Sequence, residues 1–274
     1  MDAQRLRDFI DRHDRLLVLT GAGCSTDSGI PDYRDTDGAW KRSPPVQYPA
    51  FVADLAVRQR YWARSLVGWP YFGFAQANVT HRVLAGLEAS GRIDLLVTQN
   101  VDGLHQQAGS QRVIDLHGRL DTVICLTCGD RTRRADLQQR LVARNPGWVD
   151  RHARVGPDGD VDLEASDFAA FTVPACEACG GLLKPDVVFF GEPVPRERVE
   201  AAFEGVARAD ALLVVGSSLM VYSGYRFVRA AAEAGKPVAA LNLGRTRADE
   251  LLSLKLDAPC GETLAALEVL RRVP

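Results

Sequence analysis

At 274 residues, with a formal net charge of −2 and a sequence pI near 6.2, the chain has length for one or two packed α/β domains. It carries no bulk basicity that calls for nucleic acid or an anionic membrane surface. No apolar run approaches the roughly 20 residues of a membrane span. The opening MDAQRLRDFIDRHDR mixes both charge signs around no apolar centre, so neither a secretory leader nor an acid-poor transit peptide is expected. The expectation is a cytoplasmic monomer with no nucleic-acid or membrane partner. Of six cysteines, four sit in two CxxC pairs, which in a reducing compartment points to metal rather than disulfides.

Leu6, Phe9 and Ile10 lie at helical spacing and predict an amphipathic helix over 3–14. Leu16 to Leu19 then read as a short strand, followed by the turn Gly21-Ala22-Gly23 and the helix-starting types Ser25, Thr26 and Asp27. Strand, glycine turn and helix N-terminus together present free N–H groups to a phosphate. The common dinucleotide fingerprint wants a small third residue where this chain has Thr26, which argues against an ordinary Rossmann dehydrogenase. Ser28 to Arg34, SGIPDYR, adds the Asp32 carboxylate and the Arg34 guanidinium beside that turn. A proline-rich loop and one or two aromatic-dense helices follow, a helical insertion over 41–80 whose Trp62, Trp69 and Tyr71 either pack it or line a substrate pocket.

A helix over 80–90 leads to a strand from Ile93 to Thr98 that ends at Gln99-Asn100, and Val113 to Leu116 ends at His117-Gly118. The CxxC pairs bracket a polar tract. Beyond it come strands over Val187–Phe190, Ala211–Val215 and Pro237–Leu243, with helices over 195–207, 225–234 and 263–271. The fold expected is α/β: a Rossmann-like parallel sheet with helices on both faces (1–40, 81–117 and 184–274). A smaller domain joins the insertion 41–80 to a zinc-binding module, 118–183. Polar residues follow the apolar runs directly at Thr20-Gly21, Gln99-Asn100, His117, Gly191-Glu192, Gly216-Ser217 and Asn242-Leu243-Gly244. In an open parallel sheet ligands bind outside the carboxyl ends of the strands, so these residues converge on one edge and one site.

At that edge the amides of Gly21, Ala22 and Gly23, with Arg34, suit a pyrophosphate. Gly216, Ser217 and Ser218 offer a second phosphate or ribose cradle, and Asn242 a ribose contact. His117, at a strand end beside a glycine, has an ordinary pKa near 6.5 and suits proton transfer at cellular pH. Cys125, Cys128, Cys176 and Cys179 are four thiolates of the kind that close a tetrahedral zinc site and leave no open position, although about 47 residues (Gly129 to Ala175) separate the pairs. The intervening GPDGDVDLEASD has a calcium-loop flavour, but Leu163 and Ala169 stand where the loop's glycine and glutamate belong.

The run LLVLTGAGCSTDSGIPDYR, TQNVDGLH (Thr98 to His105), LHG (Leu116 to Gly118), the CxxC pairs and VVFFGE (Val187 to Glu192) stand in an order that resembles the sirtuins, NAD-dependent protein deacylases. Within them the chain is similar to the class II subgroup that includes the mitochondrial lipoamidase-type members. The resemblance runs from the first strand to about Cys260. It implies NAD as co-substrate, one structural Zn2+ and acyl-lysine proteins or peptides as substrates. Gln99, Asn100 and Asp102 would hold the nicotinamide ribose and carboxamide, with Ala22 and Ile30 completing that pocket. Ser25, Asp32, Tyr33 and Arg34 would meet the dinucleotide, and Leu243, Gly244 and Cys260 its adenosine end.

By the same resemblance, the acyl oxygen attacks C1′ of the nicotinamide ribose and nicotinamide leaves. His117, with Asn100, is catalytic: it deprotonates a ribose hydroxyl, and the products are free lysine and O-acyl-ADP-ribose. Val187, Val188, Phe189, Phe190, Gly191 and Glu192 match the substrate strand, with Met220 to Gly224, Tyr222 among them, as the opposite wall, while His105 packs or orients. An alternative keeps the NAD site but transfers mono-ADP-ribose to protein, which product mass separates. A zinc-ribbon binding module without catalysis predicts vacancies at Asn100, Asp102 and His117, and all three residues are present. The Tyr-x-x-Arg pair of desuccinylating members is matched in spacing only by Tyr61 and Arg64, early in the insertion. Strong desuccinylation is therefore not expected.

Overall fold

The computed structural model of the chain describes residues 2–39, 41, 45–149, 151, 154–156, 161–163 and 168–271, so most of the acidic tract 156–167 lies outside the described residues. In chain order, α1 (Asp2–Asp11) buries Leu6, Phe9 and Ile10 and leads into β1 (Leu16–Thr20), which is buried along its whole length. The insertion forms α2 (Tyr48–Ala53) and α3 (Leu55–Gly73), the latter capped by the Asp54 carboxylate on the Ala56 N–H at 2.8 Å. There follow α4 (Val79–Ala89), β2 (Ile93–Thr98), α5 (Leu104–Gln107), β3 (Val113–Asp115), β4 (Gly118–Cys125), β5 (Arg131–Arg133) and α6 (Arg134–Arg144). The rest is β6 (Arg154–Val155), β7 (Val161–Asp162), β8 (Leu183–Val187), α7 (Arg196–Arg208), β9 (Ala211–Val215), α8 (Tyr222–Glu233), β10 (Val238–Leu241), β11 (Leu254–Leu256) and α9 (Cys260–Arg271).

Among the described residues one parallel six-stranded sheet runs β11-β10-β9-β1-β2-β3. Side chains alternate across β1. Leu16 and Val18 join Leu6, Leu84 and Leu264 on one face, while Leu17 and Leu19 join Val206 and Phe227 on the other. Both faces are therefore covered by helices, which is why these strands read as unbroken apolar runs. The register sets Thr20 opposite Thr98 and Val215, and Leu241 opposite Val215, so the carboxyl ends of these four strands align. From β1 the chain goes out to β2 and β3 on one side and to β9, β10 and β11 on the other. That reversal opens a crevice at the end of β1.

A second unit is the antiparallel sheet β5-β4-β8, packed with α2, α3 and α6 around Phe51, Trp62, Leu66, Val123, Leu137 and Phe171. Trp62 is fully buried there, while Tyr71 is exposed.

The strand expected over Val187–Phe190 is displaced. It runs Leu183–Val187 and pairs with β4 (Val123 opposite Pro185, Cys125 opposite Leu183), outside the parallel sheet. The antiparallel unit thus takes in residues 184–187, which the sequence reading gives to the parallel sheet. Closing the two cysteine pairs on each other brings their flanking strands side by side. Ser25, Thr26 and Asp27 start no α-helix either: the chain makes two 3-10 turns, Ala22–Cys24 and Thr26–Ser28, and leaves the second through Gly29 at φ 82°. Pro31, two residues on, cannot extend a helix ladder. The helix α8 begins at Tyr222, three residues early, and β11 is too short to leave a periodic trace. No helix among the described residues is long and apolar enough to cross a membrane.

Candidate active site

The loops after β1, β2, β3, β9 and β10 meet the turn after β8 around one cleft of about 410 Å³. Its floor is the contact of two glycine turns. The Gly23 N–H donates to the Gly216 carbonyl at 2.9 Å, and a Cβ on Gly21 would stand 2.8 Å from Ser217 Cβ. Gly216 has φ +60°, and a Cβ there would come within 2.4 Å of the Cys24 nitrogen. These glycines are needed first for one loop to pack on another, and only then for the approach of a ligand. Next to them Leu219 holds a left-handed φ of 59° with its N–H on Ser217 Oγ at 3.2 Å. Such strain persists only where the surroundings dictate the shape.

A polar chain crosses the floor from β2 to β1. Gln99 Nε2 donates to Ser217 Oγ at 2.8 Å and to the Thr20 carbonyl at 3.2 Å. Asn100 Nδ2 donates to the Gly21 carbonyl at 3.0 Å and to Ser25 Oγ at 3.1 Å, and the Ser25 hydroxyl donates to Asp102 Oδ2 at 2.6 Å. His117 closes the row. Its Nδ1 lies 2.9 Å from the Gln99 carbonyl and its Nε2 2.7 Å from Ser223 Oγ. A carbonyl only accepts, so Nδ1 carries the proton and Nε2 presents its lone pair at the cleft. Loss of water around the half-buried ring pushes His117 down to about 4, with Arg226 and Arg198 pushing the same way and the Gln99 carbonyl opposing. The shift favours the neutral ring, whose lone pair at Nε2 is the form a general base needs.

Away from the cleft, Cys125 and Cys179 have sulfurs 3.5 Å apart and Cys128 and Cys176 3.8 Å apart, all four within 4.8 Å of one another. A tetrahedron with Zn–S bonds of about 2.3 Å has edges of roughly 3.8 Å. The four residues fit Zn2+, and a closed set of four thiolates makes the site structural. Each pair sits in the same turn, with Gly129 N–H on the Cys125 carbonyl and Gly180 N–H on the Cys176 carbonyl, both 2.9 Å.

The model of the Sir2 family matches residues 21–223, from the first glycine turn to the start of α8. The chain belongs to the Sir2 family. This sirtuin is 65% identical over 263 residues to an NAD-dependent protein deacetylase of Xanthomonas campestris pv. campestris (strain 8004), covering 96% of this chain and 90% of that protein. It is 51% identical over 268 residues to the NAD-dependent protein lipoamidase sirtuin-4, mitochondrial, of Bos taurus, covering 97% and 85%. Among solved structures it matches one described as Sir2-p53 peptide-NAD+, with a TM-score of 0.79 at 29% identity over 100% of both chains.

The sirtuin's cleft gathers most residues that the sequence nominates. Gly21, Ala22, Gly23, Ser25, Ile30 and Asp32 line it, as do Tyr33, Arg34, Gln99, Asn100, Asp102 and His117. From the other loops come Gly216, Ser217, Ser218, Asn242 and Leu243, with Val187, Val188, Phe189, Phe190, Gly191 and Glu192 opposite. Part of the main chain of those last six is already engaged. The Val188 N–H is taken by the His117 carbonyl, the Phe189 N–H by Glu192, and the Phe190 carbonyl by the Tyr48 N–H. Buried Lys184, lowered by desolvation, ties the segment shut through Glu192 Oε2 at 3.1 Å.

Four nominated residues do not line the cleft, Gly224 of the expected wall among them. Tyr222 is half exposed on the outer side of α8 against Arg229 and Arg247; Gly244 donates its N–H to Asp257; Cys260 is buried with its thiol toward the Leu241 carbonyl. Met220, Val221 and Ser223 of the expected opposite wall do line it, as do Tyr61 and Phe72, which the sequence reading does not nominate. Tyr61 belongs to the Tyr-x-x-Arg spacing, but Arg64 turns its Nε to the Val161 carbonyl at 2.7 Å and is not in the wall.

Beneath the floor His81 and His105 are fully buried with ring centroids 4.8 Å apart. Desolvation lowers both, His81 to about 4. The unfolded chain protonates these rings near 6.5 and the folded one does not, so folding loses stability as pH falls from about 6.5 toward 4. Urea midpoints are expected to drop steadily between pH 7 and pH 5. A flat midpoint across that interval would contradict the neutral buried pair.

Proposed function

We infer that the protein is an NAD-dependent protein-lysine deacylase of the deacetylase type, converting acyl-lysine, NAD and water to lysine, nicotinamide and O-acyl-ADP-ribose. The observation that carries this is the neutral His117, its Nδ1–H fixed on the Gln99 carbonyl and its Nε2 facing the cleft floored by Gly21 and Asn100. NAD, when bound, supplies the ribose that accepts the acyl group. In this reading Gly21, Ala22, Gly23 and Arg34 hold the phosphates with Gly216, Ser217 and Ser218. Asn242 and Leu243 serve the adenosine end. Asn100, Asp102, Gln99 and Ile30 surround the nicotinamide side, with Ser25 bracing both polar side chains. His117 takes the ribose hydroxyl proton at Nε2, and the segment Val187–Glu192 flanks the acyl-lysine. The near-neutral pI supports a cytoplasmic protein without nucleic-acid or membrane partners, which we take to act as a monomer.

Tyr61, Phe72, Val101, Leu120 and Phe189 give the small-unit wall of the cleft an apolar lining. Desolvating a distal carboxylate there without a guanidinium is costly. With NAD and a panel of acyl-lysine peptides, neutral acyl groups are expected to release nicotinamide at least roughly tenfold faster than succinyl or glutaryl groups, the equivalent of about 1.4 kcal/mol. Faster succinyl turnover would contradict the apolar wall. No nicotinamide release with any peptide, or product mass showing ADP-ribose on the protein, would overturn the deacylase assignment.

A further inference from the structure

We propose that Ser223 is the positioning residue of the His117 base: its hydroxyl holds Nε2 on station in the free enzyme and then receives the proton-bearing Nε2. The proposal rests on His117 acting as the base of the deacylation.

Because Nδ1 is committed to donating to the Gln99 carbonyl, the 2.7 Å contact at the far side of the ring has one sense only. Ser223 Oγ–H donates and Nε2 accepts. The two bonds grip the imidazole at both ends and fix its tautomer and its tilt. Among the described residues no carboxylate is hydrogen-bonded to the ring. The charges acting on it, Arg226 from α8 and Arg198 from α7, both oppose its protonation. A hydroxyl suits that position because it reverses its role by rotation. When a ribose hydroxyl takes its place as donor and surrenders its proton, the new Nε2–H donates to the Ser223 oxygen while Nδ1–H stays on Gln99. One ribose O–H bond breaks and one Nε2–H bond forms, the electron pair staying on the ribose oxygen as its nucleophile, and the Ser223–Nε2 hydrogen bond changes sense. The second bond is charge-assisted and stronger than the first, so Ser223 favours the product of the transfer over its reactant.

The contact is built into the fold. Ser223 lies in the first turn of α8, and the next residue, Gly224, has no room for a side chain: a Cβ would fall 2.5 Å from Gln99 Oε1. The helix start is therefore docked on the same Gln99 that holds Nδ1. Arg226 Nε donates to the Ser223 carbonyl at 3.0 Å and braces the turn.

The test uses the free protein first. In Ser223→Ala, with a native fold by backbone amide spectra, the His117 Nε2 nitrogen resonance at neutral pH is expected to move toward that of an imine nitrogen without a hydrogen bond. In Ser223→Thr it is expected to stay at the wild-type position. With NAD and acyl-peptide, Ser223→Ala is expected to lower kcat about tenfold, the effect of one lost hydrogen bond, with KM for NAD unchanged within about twofold and with Ser223→Thr restoring the rate. An Nε2 resonance identical in Ser223→Ala and wild type overturns the proposal, as does an unchanged kcat. Absence of turnover in the wild type would strike the deacylase reading instead, and the resonance, read without NAD, still decides the Ser223 contact.

Discussion

Replacing His117 by alanine is expected to cut kcat for NAD-dependent deacylation by about 10²–10⁴-fold, the usual worth of a positioned general base. The expectation follows from the lack of a substitute. The group in hydrogen-bond reach of Nε2 is the Ser223 hydroxyl, which is not basic at neutral pH, and the Asp102 carboxylate of the floor is engaged by the Ser25 hydroxyl and the Leu104 N–H. The second histidine of the region, His105, is buried beneath with Nε2 on Thr20 Oγ1 at 2.9 Å and cannot reach the cleft without unpacking β1. The same substitution should leave NAD binding within a few-fold and the melting temperature nearly unchanged. The ring is only partly buried, and the groups it leaves behind, the Gln99 carbonyl and the Ser223 hydroxyl, border a cleft that water can enter. The cost to stability is about 1 kcal/mol. Nicotinamide release and calorimetric NAD binding on one preparation read both halves. A variant that keeps more than about a tenth of the wild-type kcat would remove His117 as the base.

The parallel sheet is legible in sequence because each of its longer strands is a short apolar run that stops at glycine or a polar residue. That signal is local and follows from burial on both faces. The carboxyl-edge placement of Gly21, Asn100, His117, Ser217 and Asn242 follows from it, since parallel strands in register deliver their ends together. Two features were not legible. Leu183–Val187 joins β4 only because the cysteine pairs meet across a long gap, so its partner is set by chain closure rather than by its own pattern. The helix α8 starts three residues before the expected position, and the turn this adds carries Tyr222 out of the cleft while Ser223 faces His117. An early helical turn there is decided by Gly224 docking on Gln99, a contact that no run of neighbouring residues announces.

Metal removal should reach the base from a distance. Cys125→Ala is expected to abolish stoichiometric zinc, unfold the antiparallel unit and suppress turnover, while the parallel sheet keeps its own transition. Structural zinc contributes about 10–16 kcal/mol in small isolated sites, far more than the turns that carry these cysteines hold by themselves. The route to the active site is short. Cys125 ends β4 and Gly118 begins it; Gly118 pairs with Val187 on β8, and the Val188 N–H holds the His117 carbonyl at 2.8 Å. Loss of the β4–β8 pairing therefore frees the backbone of the residue that must stay fixed on Gln99 and Ser223. A chelator titration that follows zinc release, near-ultraviolet circular dichroism and nicotinamide release should show all three falling together. Full activity in a preparation shown to be free of zinc would break that chain at its first link.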